Sequence, residues 1–350
     1  MKTILITGGA GYIGSHTCVN LLKKGYKLIV VDSFINSSSL VIDKIINLAS
    51  ESISNNTIKL QAIKGDIKDE LFLDSIFNQA KSNNNQIDAV IHFAGLKSVN
   101  ESKKFPLLYW DVNVNGTINL LKVMKSYKCR TIVFSSSATI YGPNAINPIK
   151  EDSVINPINP YGQTKAVVEN ILSDIYNSKP KLWRIANLRY FNPIGAHPSG
   201  IIGENPLGIP NNIFPYLCQV AIGKREKLKI FGNDWPTPDG TGIRDYIHVM
   251  DLADGHANAL EHLFLKDAQI INLNLGTGKG TSVLELINTF EMVNSCKINY
   301  DFTDRRDGDG PASIANPSLA FKLINWKTKR DLKDMCKDGW EWQKKNIDGF

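Results

Sequence analysis

The sequence has no Cys-x-x-Cys pair; its five cysteines (Cys18, Cys129, Cys218, Cys296, Cys336) are odd in number and scattered. That pattern argues against a disulfide framework and offers no zinc site, and the six histidines also lack metal-ligand spacing, so no metal is expected. No apolar run exceeds strand length, whereas a membrane span needs ~18 such residues, so no membrane association is expected. Met1-Lys2 leads directly into Thr3-Ile-Leu-Ile-Thr7 rather than into the charged and apolar blocks of a secretory leader. A reduced, cytoplasmic protein is the expectation. Lys and Arg number 40 against 34 Asp and Glu, but the excess is spread along the chain. Without a basic block, nucleic-acid binding gains little support, although the balance suits an acidic small ligand.

What is present is a chain of 350 residues, 43% hydrophobic and 21% charged, enough for one large globular domain or two. The first half alternates strand-sized apolar runs (Thr3–Thr7, Lys27–Val31, Ile58–Ile63, Ala89–Phe93, Thr131–Ser135) with amphipathic stretches such as Ile13–Lys24, Leu71–Lys81 and Val114–Tyr127. Strands that are continuously apolar, separated by helices, indicate an α/β fold with a doubly wound, Rossmann-like parallel sheet covered on both faces. Polar breaks at Ser37–Ser39 and Ser82–Asn85 suit loops. Past Arg189 the alternation fails and Pro and Gly become frequent, which suggests a smaller α/β region built around a ligand. The expected division is a dinucleotide domain over residues 1–188 and a substrate domain over 189–350, with part of about 240–262 returning to the first.

Thr7-Gly8-Gly9-Ala10-Gly11-Tyr12-Ile13-Gly14 joins the first strand to the first helix. Its glycines allow a tight turn and let backbone N–H groups approach a pyrophosphate at the helix N-terminus. Asp32 closes the second strand, where a carboxylate accepts from ribose hydroxyls and repels a 2′-phosphate; no Arg follows it to welcome NADP, so NAD is the expected cofactor. Asp66, in Lys64-Gly-Asp-Ile67, either receives the adenine amine or merely forms a turn.

Tyr161-Gly-Gln-Thr-Lys165 sets a phenol and an ammonium on one helix face, with Pro160 suited to a helix start. Upstream, Thr131-Ile-Val-Phe134 runs into Ser135-Ser136-Ser137 and delivers hydroxyls to the carboxyl end of a strand, the edge where open α/β sheets bind ligands.

Together with His92-Phe-Ala-Gly95, these features resemble the extended short-chain dehydrogenase/reductase superfamily. Within it the chain is similar to UDP-galactose 4-epimerases through His92-Phe-Ala-Gly-Leu-Lys97, Asn113-Val-Asn-Gly116, Phe134-Ser-Ser-Ser-Ala-Thr139 and Leu188-Arg-Tyr-Phe-Asn192. The likeness continues through Gly195–Gly200, Ile209–Asn212, Ile230–Asn233 and Asp239–Val249 to the region of Trp340 and Trp342.

The resemblance implies interconversion of UDP-glucose and UDP-galactose through a 4-keto sugar. Tyr161 would be the base, favoured as phenolate by Lys165 and the nicotinamide; Lys165 would also hold the nicotinamide ribose, and Ser137 the C4 oxygen. Cofactor contacts would fall on Gly8, Gly11, Tyr12, Ile13, Gly14, Asp32, Asn36, Ser37, Asp66, Ile67, Phe93, Ala94, Gly95, Lys97, Tyr161, Lys165 and Phe191. Substrate contacts would come from Ser137, Tyr161, Asn192, Asn212, Phe231, Arg244, Arg306, Asp309 and Ser313. Arg244 and Arg306 would pair with pyrophosphate, Asp309 would take the uridine ribose, and Phe231 would lie at the uracil. Ser313 stands where relatives vary between a bulky Tyr and a small residue, which would admit UDP-N-acetylglucosamine. A homodimer paired through Val114–Tyr127 and Tyr161–Tyr176 is also implied. The runner-up readings are a nucleotide-sugar 4,6-dehydratase or decarboxylase and a nucleotide-sensing regulator. A dehydratase resembling its family would carry Thr-Asp-Glu where this chain has three serines, and a regulator would not need Ser137, Tyr161 and Lys165 together.

Overall fold

A computed structural model of the chain describes residues 1–51 and 58–350. The elements begin with β1 (Thr3–Thr7), α1 (Tyr12–Lys23), β2 (Lys27–Asp32), α2 (Leu40–Ser50), β3 (Leu60–Lys64), α3 (Glu70–Ser82) and β4 (Ile87–His92). Next come α4 (Val99–Lys104), α5 (Pro106–Tyr109), a π-helical turn over Trp110–Asn115, α6 (Gly116–Ser126), β5 (Thr131–Ser137), a 3-10 turn over Ala138–Tyr141, α7 (Pro160–Ser178) and β6 (Arg184–Tyr190). Then follow β7 (Asn192–Ile194), α8 (Ile213–Ala221), β8 (Leu228–Phe231), β9 (Ile243–Arg244), β10 (Tyr246–His248), α9 (Val249–Leu265) and β11 (Gln269–Leu275). The chain finishes with β12 (Thr281–Ser282), α10 (Val283–Asn294), β13 (Tyr300–Thr303), β14 (Ala312–Ser313), α11 (Ser318–Ile324) and α12 (Leu332–Lys345).

Two compact units are formed: Met1–Ile140, Ile155–Arg189 and Ala253–Leu273 make the first, and Tyr141–Val154, Tyr190–Leu252 and Asn274–Phe350 make the second. In the first, seven strands lie in the order β11-β6-β5-β4-β1-β2-β3. β1 pairs in parallel with β2 on one side and β4 on the other, so the direction of winding reverses at β1. That reversal opens a crevice at the carboxyl strand ends, where doubly wound sheets take their ligands. All five residues of β1 are buried, while β3, at the sheet edge, is largely exposed. On one face Leu5, Val90, Ile132 and Phe134 pack with Leu73, Ile76, Phe77, Leu120, Met124, Val168 and Leu172 of α3, α6 and α7. Each such side chain contributes roughly 1.5–3 kcal/mol on leaving water.

The expected strands and helices of the first half are all present, with shifted ends. β3 begins at Leu60 and β5 runs on to Ser137. The helix expected from Val114 instead starts at Gly116, because Trp110–Asn115 are wound as a π turn. α2 was not foreseen; it begins directly after the serine break, and Val41, Ile45 and Leu48 bury its inner face at helical spacing.

The second unit is built from short pieces: β8 with β13, β7 with β10, and the ribbon β12-β9-β14. Its core gathers Phe214 and Leu217 of α8, Leu228 and Ile230 of β8, Leu286, Ile287 and Phe290 of α10, and Met335 of α12.

Candidate active site

Parallel register brings three strand ends of the first unit level, Thr7 lying opposite Val31 and also opposite His92. Gly8 has φ +71, and a Cβ on it would lie 2.6 Å from the Ala94 nitrogen. A Cβ on Gly14 would strike the Gly8 carbonyl oxygen and lie 2.8 Å from the Gly9 Cα. Gly11 is different: a Cβ there would meet only the Gly8 oxygen, at 3.3 Å. It is the N-cap of α1 and makes no side-chain cap hydrogen bond, and helix N-terminal N–H groups favour an anion. A cradle crowded by backbone on two sides at a helix N-terminus fits a dinucleotide pyrophosphate.

The Asp32 carboxylate sits beside this loop, accepting from the Ala10 N–H at 3.0 Å, the Phe34 N–H at 3.0 Å and the Ser37 hydroxyl at 2.9 Å. Asn36, between them in the loop, is exposed. Asp66 forms the turn that was one of its two readings, accepting from the Lys68 N–H at 2.9 Å, and Ile67 is buried next to it. The Phe93 and Ala94 N–H groups both donate to the Thr7 carbonyl, at 2.9 and 3.0 Å. Gly95 faces Asn113 and Lys165, and Lys97 is exposed.

α7 opens on Asn159, whose side chain accepts from the Gly162 N–H, with Pro160 in the first turn. This start turns Lys165, Glu169 and Leu172 inward on one face. The Lys165 ammonium is buried, donates to the Ser135 carbonyl at 2.7 Å, and lies 4.9 Å from the Phe134 ring centre and 5.9 Å from that of Tyr161. Ser137 shares a 2.6 Å hydrogen bond with Thr139 and also meets the Tyr161 phenol. Tyr161, Lys165 and Ser137 are thus brought together at the end of β5.

The protein groups by themselves do not favour the Tyr161 phenolate. Burial raises the Tyr161 pKa and the Ser137 hydrogen bond only partly opposes it. Burial also lowers Lys165 to about 8, against the pull of Glu169. The ammonium is engaged by the Ser135 carbonyl, and loss of water dominates at the phenol.

Three neighbours were not foreseen. Asn113, in the π turn, donates to the Leu96 carbonyl at 3.0 Å and to the Thr164 hydroxyl at 3.0 Å, and accepts from the Leu96 N–H at 2.8 Å. It therefore holds the loop after β4 to α7. Glu169 is buried against Arg189 and receives the Ser136 hydroxyl. His92 lies beneath, within 2.6 Å of the Thr7 hydroxyl and 2.9 Å of that of Thr117. Thr117 donates to the Asn113 carbonyl, so it must accept from His92 Nε2, leaving Nδ1 to accept from Thr7. Burial and the Lys165 cation hold the imidazole neutral, its pKa lowered to about 3.

In the second unit the ribbon pairs Arg244 with Ser313. The Arg244 guanidinium donates to the Gly310 carbonyl at 3.1 Å and lies 3.8 Å from the Asp309 carboxylate. Arg306 stacks on Phe231 with 4.2 Å between its guanidinium carbon and the ring centre. Asn192 is in register with Tyr246, close in sequence to Arg244. Asn212 starts α8 and donates to Glu204 at 3.0 Å, and Phe191 is buried with its N–H on the Leu275 carbonyl. Arg244, Asp309 and Ser313 form one group and Arg306 with Phe231 another. Among the described residues no cluster with metal-ligating composition occurs, and no helix is long and apolar enough to cross a membrane.

A glycine cradle at the switch point, a carboxylate closing β2 and a Ser-Tyr-Lys cluster at the end of β5 define a protein of the short-chain dehydrogenase/reductase type. The family model described as GDP-mannose 4,6 dehydratase matches residues 5–339. The UDP-glucose 4-epimerase of Bacillus subtilis is 49% identical over 347 residues, 99% of this chain and 98% of the relative. The structure of UDP-glucose 4-epimerase from Bifidobacterium longum in complex with NAD+ and UDP superposes with a TM-score of 0.93 at 43% identity, covering all of both chains. That of the enzyme from Stenotrophomonas maltophila, with bound NAD and formylated UDP-arabinopyranose, gives 0.93 at 44% identity, covering 99% of this chain and 98% of that one. The chain belongs to the family of this dehydratase model and, within it, to the UDP-glucose 4-epimerases.

Proposed function

We infer that the chain interconverts UDP-glucose and UDP-galactose as an NAD-dependent 4-epimerase. The observation that carries this is the Ser137, Tyr161 and Lys165 cluster in one unit with a glycine cradle for a dinucleotide, in a chain related over its whole length to UDP-glucose 4-epimerases. The chemistry NAD supplies when bound is a reversible two-electron oxidation at sugar C4. Tyr161 takes the proton of the C4 hydroxyl as that carbon is oxidised and gives it back when the 4-keto sugar is reduced. Ser137 donates to the C4 oxygen. Lys165, anchored on the Ser135 carbonyl, holds the nicotinamide ribose and adds positive charge toward the phenol. Burial opposes the phenolate; the Lys165 cation favours it, and a bound, positively charged nicotinamide would add to that.

Residues of the first unit bind the cofactor: Gly8, Gly11, Tyr12, Ile13 and Gly14 at the pyrophosphate, Asp32 at the adenosine ribose. Residues of the second unit bind the nucleotide. Arg244 and Arg306 hold pyrophosphate, Asp309 the uridine ribose, Phe231 the uracil, and Asn192 and Asn212 donate amides. Such a grip leaves the hexose free to turn its other face. A dehydratase needs an acid beside the tyrosine. Here the strand end is three serines, and Glu169 behind it is committed to Arg189 and Ser136. The test is purified protein with UDP-glucose and no added cofactor, followed by NMR. UDP-galactose is expected; NAD-loaded protein that leaves UDP-glucose unchanged contradicts the reading.

UDP-N-acetylglucosamine is proposed as a further substrate because Ser313, short and partly exposed, lies in register with Arg244. Ser313→Tyr should suppress that reaction and largely spare the plain hexose; equal losses, or a wild type inactive on the N-acetylated sugar, contradict this. A homodimer through α6 and α7 is proposed too, supported by exposed Phe105, Leu107 and Leu108 on and beside α5, which packs against α7. Sedimentation showing only monomer at micromolar concentration would contradict it. A cytoplasmic location is consistent with five unpaired thiols, four of them buried.

A further inference from the structure

One helical turn beyond Lys165 lies Glu169, buried with Arg189. Arg189 Nε donates to Glu169 Oε1 at 3.0 Å and Oε2 at 3.2 Å, and Nη2 donates to Oε2 at 2.6 Å. Taking two charges out of water is costly, and apolar side chains of similar volume usually serve stability as well. Stability alone therefore does not account for this pair, and what else it touches is informative. Glu169 Oε1 also accepts the Ser136 hydroxyl at 2.5 Å. Ser136 is the middle residue of Ser135-Ser136-Ser137. The residue before it gives Lys165 its carbonyl acceptor, and the residue after it presents its hydroxyl to Tyr161. One carboxylate thus fastens β5, α7 and β6 together behind both reactive side chains.

We propose that Glu169 is a positioning residue. By gripping Ser136 it fixes the carbonyl that anchors Lys165 and the hydroxyl that meets the sugar, and its charge keeps the ammonium protonated. This rests on the epimerase reading. The groups around Lys165 are Tyr161 and Glu169 from its own helix, Arg189 from β6 behind Glu169, and His92 from β4. From β5 come the Ser135 carbonyl and the Phe134 ring. His92 is neutral, and burial has already brought Lys165 down to about 8. Glu169 is the anion opposing that fall. Its neutralisation lowers the lysine pKa further, so the ammonium is lost at lower pH.

The test uses the NAD-loaded full chain. NAD content, thermal midpoint, kcat, KM for UDP-glucose and the pH profile of kcat are measured for wild type, Ser136→Ala, Glu169→Gln and Glu169→Leu/Arg189→Met. Ser136→Ala should lose about 10-fold in kcat with KM and profile unmoved, since charge is kept and only the fastening is lost. Glu169→Gln should lose at least as much and shift its alkaline limb down by about one pH unit. The apolar double variant should melt close to wild type yet share the kcat loss, separating positioning from folding. If Glu169→Gln does not fold, the other two variants decide. Unchanged kcat per NAD-loaded site in Ser136→Ala and the double variant overturns the proposal. An inactive wild type instead overturns the epimerase reading itself.

Discussion

The two units treat their functional side chains in opposite ways. In the first, Lys165, Glu169, Arg189, His92 and Asn113 are all buried, and each is held by named partners at hydrogen-bond distance. In the second, Arg244 and Asp309 are only partly covered and 3.8 Å apart, and Arg306 rests on a Phe231 ring that is itself 36% exposed. The first arrangement costs desolvation but leaves little to rearrange when charge moves. Electrostatic stabilisation of a reaction depends on that fixity. The second leaves its cations in contact with water, able to re-aim at an arriving anion, as suits binding rather than bond-making. Substitutions among these buried residues of the first unit should therefore change turnover, and those in the second should change affinity for the nucleotide sugar.

The largest effect is expected at Tyr161. Tyr161→Phe should fold and keep its NAD but lose at least ~10²-fold in kcat, the usual range for deleting a positioned acid–base group. Near-wild-type turnover would remove the phenol from that role. A smaller change is expected from Asp32→Ala combined with Ser33→Arg, which removes the carboxylate and adds a cation for a 2′-phosphate. Cofactor extracted from this variant should include NADP and fall in occupancy; NAD alone at full occupancy would show that Asp32 does not choose the cofactor. In the second unit, Arg306→Ala should raise KM for UDP-glucose about 10-fold and leave kcat within about twofold. A loss confined to kcat would break the contrast between the units.

The smallest effect concerns acid stability. His92 titrates near 6.5 when unfolded and about 3 when folded, so below pH 6.5 the unfolded chain binds a proton that the folded one refuses. Stability falls as pH drops through that window, by about 1.0 kcal/mol between pH 6.5 and 5.5 from this group and by about 1.3 kcal/mol over the next unit. His92→Gln, less stable at neutral pH, should lack that part of the slope in denaturant titrations. An identical slope would place the acid sensitivity elsewhere.

How much was legible in the sequence follows the range of the interactions. Gly8 and Gly14 could be read because close backbone approach excludes every other residue type, a local demand. Tyr161 and Lys165 could be paired because four residues make one helical turn. The direction of the Tyr161 shift could not: spacing gives a nearby cation, but only the fold aims that cation at the Ser135 carbonyl and strips water from the phenol. Glu169 repeats the four-residue step from Lys165, yet its role depends on Arg189, 20 residues away on strand β6. Asn113 lies in a π turn, which has no periodic signature, and its partners come from two other segments. The helix α2 was within reach, since Val41, Ile45 and Leu48 keep helical spacing, but the serine run that abuts its start is also a loop signal. In the second unit the short strands carry no period, and its candidate residues rested on resemblance alone.

In the proposed reaction the hydrogen at C4 leaves with its electron pair and comes back to the same carbon, while only the hydroxyl proton passes through Tyr161. UDP-glucose carrying deuterium at C4, incubated in ordinary water with the purified protein, tests this directly. The expected result is UDP-galactose with the deuterium still at C4, seen by NMR and mass spectrometry. Product in which C4 has taken hydrogen from water would mean that carbon is deprotonated rather than oxidised, and would contradict the assigned chemistry.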